Sequence, residues 1–281
     1  MIIIDMNQIA LASVMMQLRM DETTEVSEDM VRHMILNSIR NYVMQFKSDY
    51  VESDADVILA WDSKHYWRRD YYPQYKAGRR KGRQESDLDW NEIFGVTNKI
   101  RDEIKENLPY KSVEVYGAEA DDIIAVVSKT NDSVMIVSSD KDFIQLHSDT
   151  VKQWSPVTKK ELNGHDPNTY IKEHVLRGDS GDGVPNVLSP DHTFTDGLRQ
   201  KPLGKKRMEK MIHEGENSWS DEVKRNYQRN FKLINLRNIP KQIEVDILDA
   251  IKNSPHGDRS KLLNYFIQNK LKSLTEEIGD F

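Results

Sequence analysis

The sequence predicts an α/β fold, with a mostly parallel central sheet, helices on both faces, and a smaller helical C-terminal domain. Two observations support this prediction. In the first part of the 281-residue chain, short apolar runs alternate with segments of helical periodicity, the order that parallel sheets require. Beyond about residue 165 the strand signals fade, and short helical segments are joined by Gly and Pro. We therefore expect an α/β domain over residues 1–165 and a helical domain over residues 166–281.

The strands and helices of the first domain can be predicted in order. Met1–Asp5 is a short strand with three consecutive isoleucines, and Val26–Tyr50 is a long helix that Ser27 can cap. Val57–Trp61 is the second strand. The remaining predicted elements are a helix over Asp89–Leu108, a strand over Ser112–Tyr116, a helix over Asp121–Lys129 and a strand over Ser133–Val137.

Acidic residues follow three of these strands. One such residue taken alone is usually a turn residue or a helix cap, but parallel strands bring their carboxyl ends to one edge of a sheet. Nine acids could therefore face one site, where their repulsion requires a cation, and oxygen ligands favour Mg²⁺ or Mn²⁺. On an ideal helix Glu119 and Asp122 share a face, while Asp121 points away. The nine acids are Asp5, Asp62, Glu119, Asp121, Asp122, Asp140, Asp142, Asp179 and Asp182.

A basic and aromatic segment follows the second strand. Residues Lys64–Arg83 contain eight lysines and arginines, one aspartate and five aromatic residues. Such a run is often a solvated surface, but cations bind phosphate and aromatic rings stack on unpaired bases. If the segment is helical, Lys76 and Arg79 are neighbours and can meet one ligand. Further candidate nucleic-acid contacts in this segment are Tyr72, Tyr75, Arg80 and Arg83.

A second candidate anchor lies in the C-terminal domain. Gly204 precedes a predicted helix that begins near Lys205 and carries Lys206 and Arg207. A helix start presents N–H donors to a phosphate, and such contacts are independent of base sequence. The alternative interpretation is an ordinary glycine turn before a surface helix.

The composition excludes several classes of protein. Without cysteine, the chain has no disulfide framework, thiolate zinc site or cysteine nucleophile. No apolar stretch approaches a membrane span, and the N-terminus does not resemble a signal peptide. The eight histidines show no cluster that would hold zinc. The net charge of −6, taken alone, argues against nucleic acid, although only its distribution along the chain can decide.

Taken together and in order, five motifs resemble the 5′-nuclease, or flap endonuclease, family. They are IIIDMNQIA, AWDSKHYWRRDYYPQYK, YGAEADDIIA, IVSSDKDFIQL with VKQWSP, and LRGDSGDGVPNV, and the resemblance covers roughly residues 2–212. It implies a 5′-to-3′ exonuclease and flap endonuclease that cleaves duplex DNA, RNA–DNA hybrids and 5′ flaps, as in primer removal during lagging-strand replication. It also implies two Mg²⁺ ions, which Mn²⁺ can replace.

The resemblance assigns roles to individual residues. Asp5, Asp62, Glu119, Asp121, Asp122 and Asp140 match a first metal cluster, and Asp142, Asp179 and Asp182 match a second. Lys76 and Arg79 match a catalytic basic pair in a helical gateway, here residues 64–95, with Tyr75 the aromatic beside it. Residues 178–212 match a helix–hairpin–helix module that binds duplex DNA, although an insertion over Leu188–Lys201 departs from the family pattern.

Three other functions compete with this interpretation. A structure-specific DNA-binding protein would bind without Mg²⁺-dependent cleavage. A haloacid-dehalogenase-type phosphatase would need Asp-x-Asp after the first strand, where this chain has Asp5-Met6-Asn7. A small metal ribonuclease of related fold would lack both the basic segment and the helical domain.

The expected partners are DNA and RNA–DNA hybrid, with a single-strand-binding protein or sliding clamp as further candidates and no membrane. We expect a monomer in the cytoplasm, that of the host if the chain is encoded by a phage. Ile278–Phe281 is a candidate clamp-binding tail, for which a frayed terminus is the simpler interpretation.

Overall fold

A six-stranded sheet forms the centre of the fold in a computed structural model, which describes residues 1–164 and 166–281. The strands lie in the order β3-β2-β1-β4-β5-β6, and all neighbouring pairs are parallel except β5 and β6. Ile4 is paired with Leu59 on one side and Val137 on the other, so the central strands end together. The strands are β1 (Ile2–Asp5), β2 (Val57–Trp61), β3 (Lys111–Glu114), β4 (Val134–Val137), β5 (Val151–Ser155) and β6 (Lys160–Glu161).

Helices cover both faces of the sheet and form most of the C-terminal part. Short 3₁₀ turns occupy Asp54–Asp56, Lys141–Leu146, Glu216–Ser218 and Ile278–Asp280. The α-helices are α1 (Met6–Met20), α2 (Glu28–Tyr50), α3 (Trp67–Tyr71), α4 (Ala77–Gln84), α5 (Trp90–Asn107), α6 (Ala120–Thr130), α7 (Pro167–Arg177), α8 (Lys205–Glu214), α9 (Asp221–Ile234), α10 (Lys241–Asn253), α11 (Leu262–Gln268) and α12 (Lys272–Glu276).

The central strands are apolar on both faces because each face is covered. On one face Ile2 and Ile4 pack against α1, α2 and α5, and on the other Ile3 packs against α6 and α10. All four residues of β1 are buried, as expected for a parallel strand between two helical layers. The predicted α/β architecture with additional C-terminal helices is confirmed.

The C-terminal helices are shared between a core of their own and the cores of the sheet. Helices α7, α8 and α9 pack together, whereas α10 lies on the sheet beside α6, and α11 and α12 join the opposite core. The division into domains at residue 165 stays a prediction, because that residue lies outside the described residues.

The chain terminus is packed rather than frayed, so the expectation for the tail was wrong. Phe281 is only 2% exposed and meets the ring of Phe266 edge-on at 5.1 Å between centroids. Arg40 pairs with Glu277 and Asp280 at 2.5 and 2.9 Å. In this arrangement the Phe281 ring is not available to a clamp protein.

Helix α1 and strands β5 and β6 are among the elements that the sequence did not predict. Helix α1 was not predicted, because its apolar residues do not form a clear stripe, and β5 and β6 are short strands at the sheet edge. None of the helices in the described ranges, 1–164 and 166–281, is long and apolar enough to cross a membrane.

Candidate metal and active site

Three aspartates leave neighbouring parallel strands at one edge of the sheet and surround a common cleft. Asp5 ends β1, Asp62 directly follows β2, and Asp140 lies three residues after β4. Asp121, in the first turn of α6, lines the same cleft, which has a volume of about 290 Å³. The strand-end acids are therefore brought together as the sequence predicted.

Hydrogen bonds fix two of these carboxylates. Ser138 Oγ donates to Asp5 Oδ2 at 2.9 Å. The backbone N–H of Ala120, at the start of α6, donates to Asp62 Oδ1 at 2.8 Å, and Asn7 Nδ2 donates to Asp62 Oδ2 at 3.0 Å. Both carboxylates are thus held in place before any ligand arrives.

Burial and mutual repulsion make the acids of the cleft difficult to ionise. Burial, with a contribution from the neighbouring Asp62 charge, raises the pKa of Asp5 to about 7. Burial also raises the pKa of Asp62, and burial together with the Asp140 charge raises the pKa of Asp121 well above its usual range. A cation in the cleft would relieve this repulsion.

A second acidic group lies beside the first. Asp142, Asp179 and His174 bring one potential ligand atom each to within 4.8 Å of one another. The loop over Gly178–Val184 folds back so that the N–H groups of Gly181 and Asp182 donate to Asp179 Oδ1 at 2.8 and 3.2 Å. Burial, with the charges of Asp140 and Asp179, raises the pKa of Asp142 well above its usual range.

Two further acids share one buried arginine. Arg68, on α3, is 1% exposed. It binds both oxygens of Asp122, at 2.8 and 2.9 Å, and also donates to Glu119 Oε2 at 2.9 Å. Trp67 Nε1 adds a hydrogen bond to Asp122 Oδ2 at 3.2 Å. The oxygens of Asp122 are therefore occupied inside the protein.

Lys76 and Arg79 reach the edge of the cleft and contact its acids. Lys76 Nζ lies 2.5 Å from Glu119 Oε1 and 3.6 Å from Asp182 Oδ2, and Arg79 Nη2 lies 2.5 Å from Asp182 Oδ1. Burial alone would raise the pKa of Asp182, but these two cations outweigh it and hold that pKa below its usual range. Lys76 has a left-handed φ of 57°, the kind of strain that is often found at functional sites.

The donor set fits divalent cations. Of the nine predicted site acids, six have no Lys or Arg partner within residues 1–164 and 166–281, namely Asp5, Asp62, Asp121, Asp140, Asp142 and Asp179. Their ligand atoms are carboxylate oxygens, which suit hard divalent ions.

Comparison with known proteins decides the family. A family profile described as "5′-3′ exonuclease, N-terminal resolvase-like domain" matches residues 1–175, and one described as "T4 RNase H, C terminal" matches residues 166–281. The chain belongs to the 5′-3′ exonuclease family. It is 33% identical over 295 residues to ribonuclease H of Enterobacteria phage T4, covering 99% of this chain and 95% of that protein. The resemblance inferred from the motifs is thereby confirmed.

Other relatives extend the comparison. The flap endonuclease Xni of Shewanella sp. (strain MR-4) is 31% identical over 150 residues, which covers 49% of this 5′ nuclease and 54% of that protein. A crystal structure of the T5 D15 protein with metal ions has a TM-score of 0.63 at 18% identity, covering 89% of this chain and 98% of that one. At that identity the likeness supports the fold alone.

Asp121 and Asp122 face different sides of α6, as the helical spacing predicted. In this 5′ nuclease Asp121 lines the cleft, whereas Asp122 is fully buried and shares Arg68 with Glu119. A capping box contributes, because the Glu119 N–H donates to Asp122 Oδ2 at 3.0 Å. We therefore treat Asp122 as a residue that positions Arg68 and Glu119, and not as a metal ligand.

The expectation that Tyr72 and Tyr75 stack on bases does not hold in the structure. Both are buried, with 5% and 3% exposure. The Tyr72 hydroxyl donates to the Asp191 carbonyl at 2.5 Å, and the Tyr75 hydroxyl donates to Asp182 Oδ2 at 2.7 Å and Glu119 Oε2 at 3.1 Å. Tyr72 therefore packs in the helical core, and Tyr75 orients two acids.

The remaining basic residues lie on the surface. Arg80 is exposed on α4, and the guanidinium of Arg83 lies over the ring of Phe94 at 4.7 Å. Lys205 and Lys206 are exposed in the first turn of α8, which follows Gly204 as predicted. Helices α7 and α8 contact each other, but a long segment, residues 178–204, joins them in place of a short hairpin.

Two residues of this site, Arg68 and His174, could not be recognised from the sequence. Arg68 was counted only within the basic segment, and nothing in its spacing distinguishes a buried arginine from a surface one. His174 was not recognised because it is far in sequence from Asp142, and only the packing of α7 against the Lys141–Leu146 turn joins them.

Proposed function

We propose that the chain is a Mg²⁺-dependent 5′-to-3′ exonuclease and flap endonuclease that hydrolyses the phosphodiesters of RNA–DNA hybrids, duplex DNA and 5′ flaps. The main supporting observation is the convergence of unpaired acids from separate strands at one cleft, with Lys76 and Arg79 at its edge. We infer that this activity serves primer removal in lagging-strand replication, in keeping with the ribonuclease H name of the phage T4 relative.

The acids divide into two metal-binding groups. Asp5, Asp62, Asp121 and Asp140 would hold one ion, and Asp142 and Asp179, next to Asp182, would hold the other. When bound, such ions activate water and stabilise the charge that develops on the phosphate and the leaving oxygen. Glu119 and Asp182 take part through the basic residues that they bind.

Lys76 and Arg79 would bind the scissile phosphate. Glu119 and Asp182 keep Lys76 protonated: burial alone would lower the pKa of Lys76, but these carboxylates outweigh it and raise that pKa. The N–H of Lys76 also donates to the Asp182 carbonyl at 2.7 Å, which ties the start of α4 to the Asp179–Asp182 loop. Both cations are thus oriented before the substrate binds, as stabilisation of a transition-state charge requires.

Exposed basic residues would hold the rest of the nucleic acid. Arg80 and Arg83 extend the surface of α4, and Lys205 and Lys206 lie at the start of α8. Backbone contacts of this kind predict binding that weakens steeply with salt despite the acidic pI of about 5.8. The T5 D15 flap endonuclease, a fold neighbour with a TM-score of 0.63, has been crystallised with DNA and metal ions.

The test is cleavage of a 5′-labelled flap and of an RNA–DNA hybrid, with Mg²⁺ or with EDTA. We expect cleavage only with Mg²⁺, and we expect Asp140→Asn to need about 10- to 100-fold more metal. Asp149→Asn is the control, because Asp149 is an exposed aspartate in the loop before β5, at the opposite edge of the sheet. Full turnover of Asp140→Asn at limiting Mg²⁺ would refute the site, and binding without any cleavage would identify a DNA-binding protein instead.

The role of the basic pair has a separate test. Lys76→Ala should lower kcat by about 10²- to 10³-fold with little change in duplex affinity, because Lys76 acts at the scissile phosphate. Lys81→Ala, in the helix that begins directly after Lys76 and with a side chain that is 79% exposed, should leave kcat unchanged. Equal losses of kcat and affinity in Lys76→Ala would indicate a plain docking role.

The expectations about cellular location, oligomeric state, metal replacement and protein partners stay predictions. They are the cytoplasmic location, the monomeric state, the replacement of Mg²⁺ by Mn²⁺, and contacts with a single-strand-binding protein or a sliding clamp.

A further inference from the structure

A buried histidine lies among the acids of the second group. His174, near the end of α7, is 7% exposed. Its Nδ1 lies 3.3 Å from Asp142 Oδ1, and its Nε2 lies 3.8 Å from Asp179 Oδ2. The imidazole is therefore held between two of the carboxylates that the proposed function assigns to the second ion.

The Nδ1 atom of this ring has no hydrogen-bond partner among residues 1–164 and 166–281, despite its short distance to Asp142. Buried polar atoms in folded proteins are almost always satisfied, so an orphaned nitrogen requires an explanation. With a proton on Nε2, which faces Asp179, the lone pair of Nδ1 is free for a ligand on the side of Asp142.

We infer that His174 Nδ1 is a nitrogen ligand of the second metal position, and that this position prefers a divalent transition-metal ion to Mg²⁺. The inference rests on the proposed function, which places a divalent ion at these acids. Three potential ligand atoms within 4.8 Å of one another, one from an imidazole and two from carboxylates, make a mixed donor set. Imidazole suits transition metals, whereas Mg²⁺ prefers a shell of oxygen ligands and waters.

The competing explanation is that His174 serves only to pack α7. Its ring meets Tyr170 at 5.6 Å between centroids, in an edge-on contact. A packing role requires no bond between the ring nitrogen and a metal ion, so the two explanations differ in the magnetic environment of a bound ion.

Pulsed electron paramagnetic resonance of bound Mn²⁺, with the full chain free of any purification tag, makes this distinction. In the wild type we expect nitrogen modulation from a coordinated imidazole. The modulation should vanish in His174→Gln and persist in His213→Gln, which changes an exposed histidine at the end of α8. By calorimetry, the preference for Mn²⁺ over Mg²⁺ at the second position should fall about tenfold or more in His174→Gln.

Two results would overturn the inference: no nitrogen modulation in the Mn²⁺-loaded wild type, or modulation that survives in His174→Gln. The wild-type spectrum keeps the test decisive if that variant fails to fold, and His174→Asn provides a second substitution. The Mg²⁺ cleavage assay reports separately on the proposed function, because nuclease activity without nitrogen modulation would remove only the role of His174.

Discussion

Arg68 is the residue whose replacement should most clearly reveal how the site is supported. The substitution Arg68→Met keeps an unbranched side chain of similar length but removes the guanidinium. In the wild type this group binds Asp122 through two hydrogen bonds, Glu119 through one, and the Leu233 carbonyl of α9 at 2.8 Å. It therefore connects the acids at the start of α6 with the C-terminal helices.

The expected loss of stability follows from the two carboxylates that Arg68→Met would leave without their arginine. Asp122 is fully buried and Glu119 is 1% exposed, so both carboxylates would lose a counter-ion that water cannot replace. Lys76 still faces Glu119, whereas within the described part of the chain Asp122 keeps only the Trp67 indole and the backbone N–H of Glu119. Removing one partner of a buried ion pair costs about 3–5 kcal/mol, and we expect the free energy of unfolding to fall by that amount.

Urea unfolding at pH 7.5 in EDTA measures this difference. Arg69→Met is the matched control, because Arg69 is the adjacent arginine but is exposed, and its replacement should change stability by about 0.5 kcal/mol or less. The double substitution Arg68→Met with Asp122→Leu should recover part of the lost free energy of unfolding, because it also removes the buried Asp122 carboxylate that has no counter-ion. A loss below about 1 kcal/mol in Arg68→Met would refute the reasoning.

Three further predictions test other parts of the fold. Because the pKa of Asp5 is about 7 when folded against 3.8 for the free group, the metal-free protein should lose up to about 4 kcal/mol of stability between pH 4 and 7. Asp5→Asn should show a smaller loss in urea unfolding, and identical pH profiles would contradict this. Phe281→Ala should cost about 3–5 kcal/mol by the same assay, since the ring is 2% exposed, and an unchanged midpoint would show that the tail is loose. Gly178→Ala would place Cβ 2.4 Å from the Val184 carbonyl oxygen, whereas Gly215→Ala, with a similar φ of 74° against 71°, meets no atom of the described residues within 4 Å. Gly178→Ala should therefore lower the melting temperature and the activity more than Gly215→Ala, and equal effects would rule out the clash as the cause.

The sheet and the strand-end acids could be predicted because each signal is local. Strands β1, β2 and β4 are continuous apolar runs, and in a doubly covered parallel sheet such runs are buried on both faces. An aspartate after each run then lies at the carboxyl edge whatever the details of packing. Helix α1 was not predicted because apolar residues occupy most of its length. The sequence therefore has no polar face that would show the helical period of 3.6 residues.

Which acids face the cleft and which are paired inside the protein could not be predicted in the same way. Helical spacing gives the angle between Asp121 and Asp122 but not which of the two faces the sheet edge. That choice is made by Arg68, which comes from a helix more than fifty positions earlier and binds Asp122 in the interior. The burial of Tyr72 and Tyr75 follows from contacts with residues after 165, which no local pattern in the basic segment contains.

The balance of charge shows why the protein can be acidic and still bind nucleic acid. Of the nine acids predicted for the site, Glu119, Asp122 and Asp182 are paired with Arg68, Lys76 and Arg79. Counted as formal charges, the remaining six equal the formal net charge of −6 of the whole chain. Outside these six, acidic and basic residues balance, and two divalent ions would neutralise four of the six charges. The basic surface of α4 is then free to attract a phosphate backbone, because the negative potential of the protein is concentrated at the cleft where the cations bind.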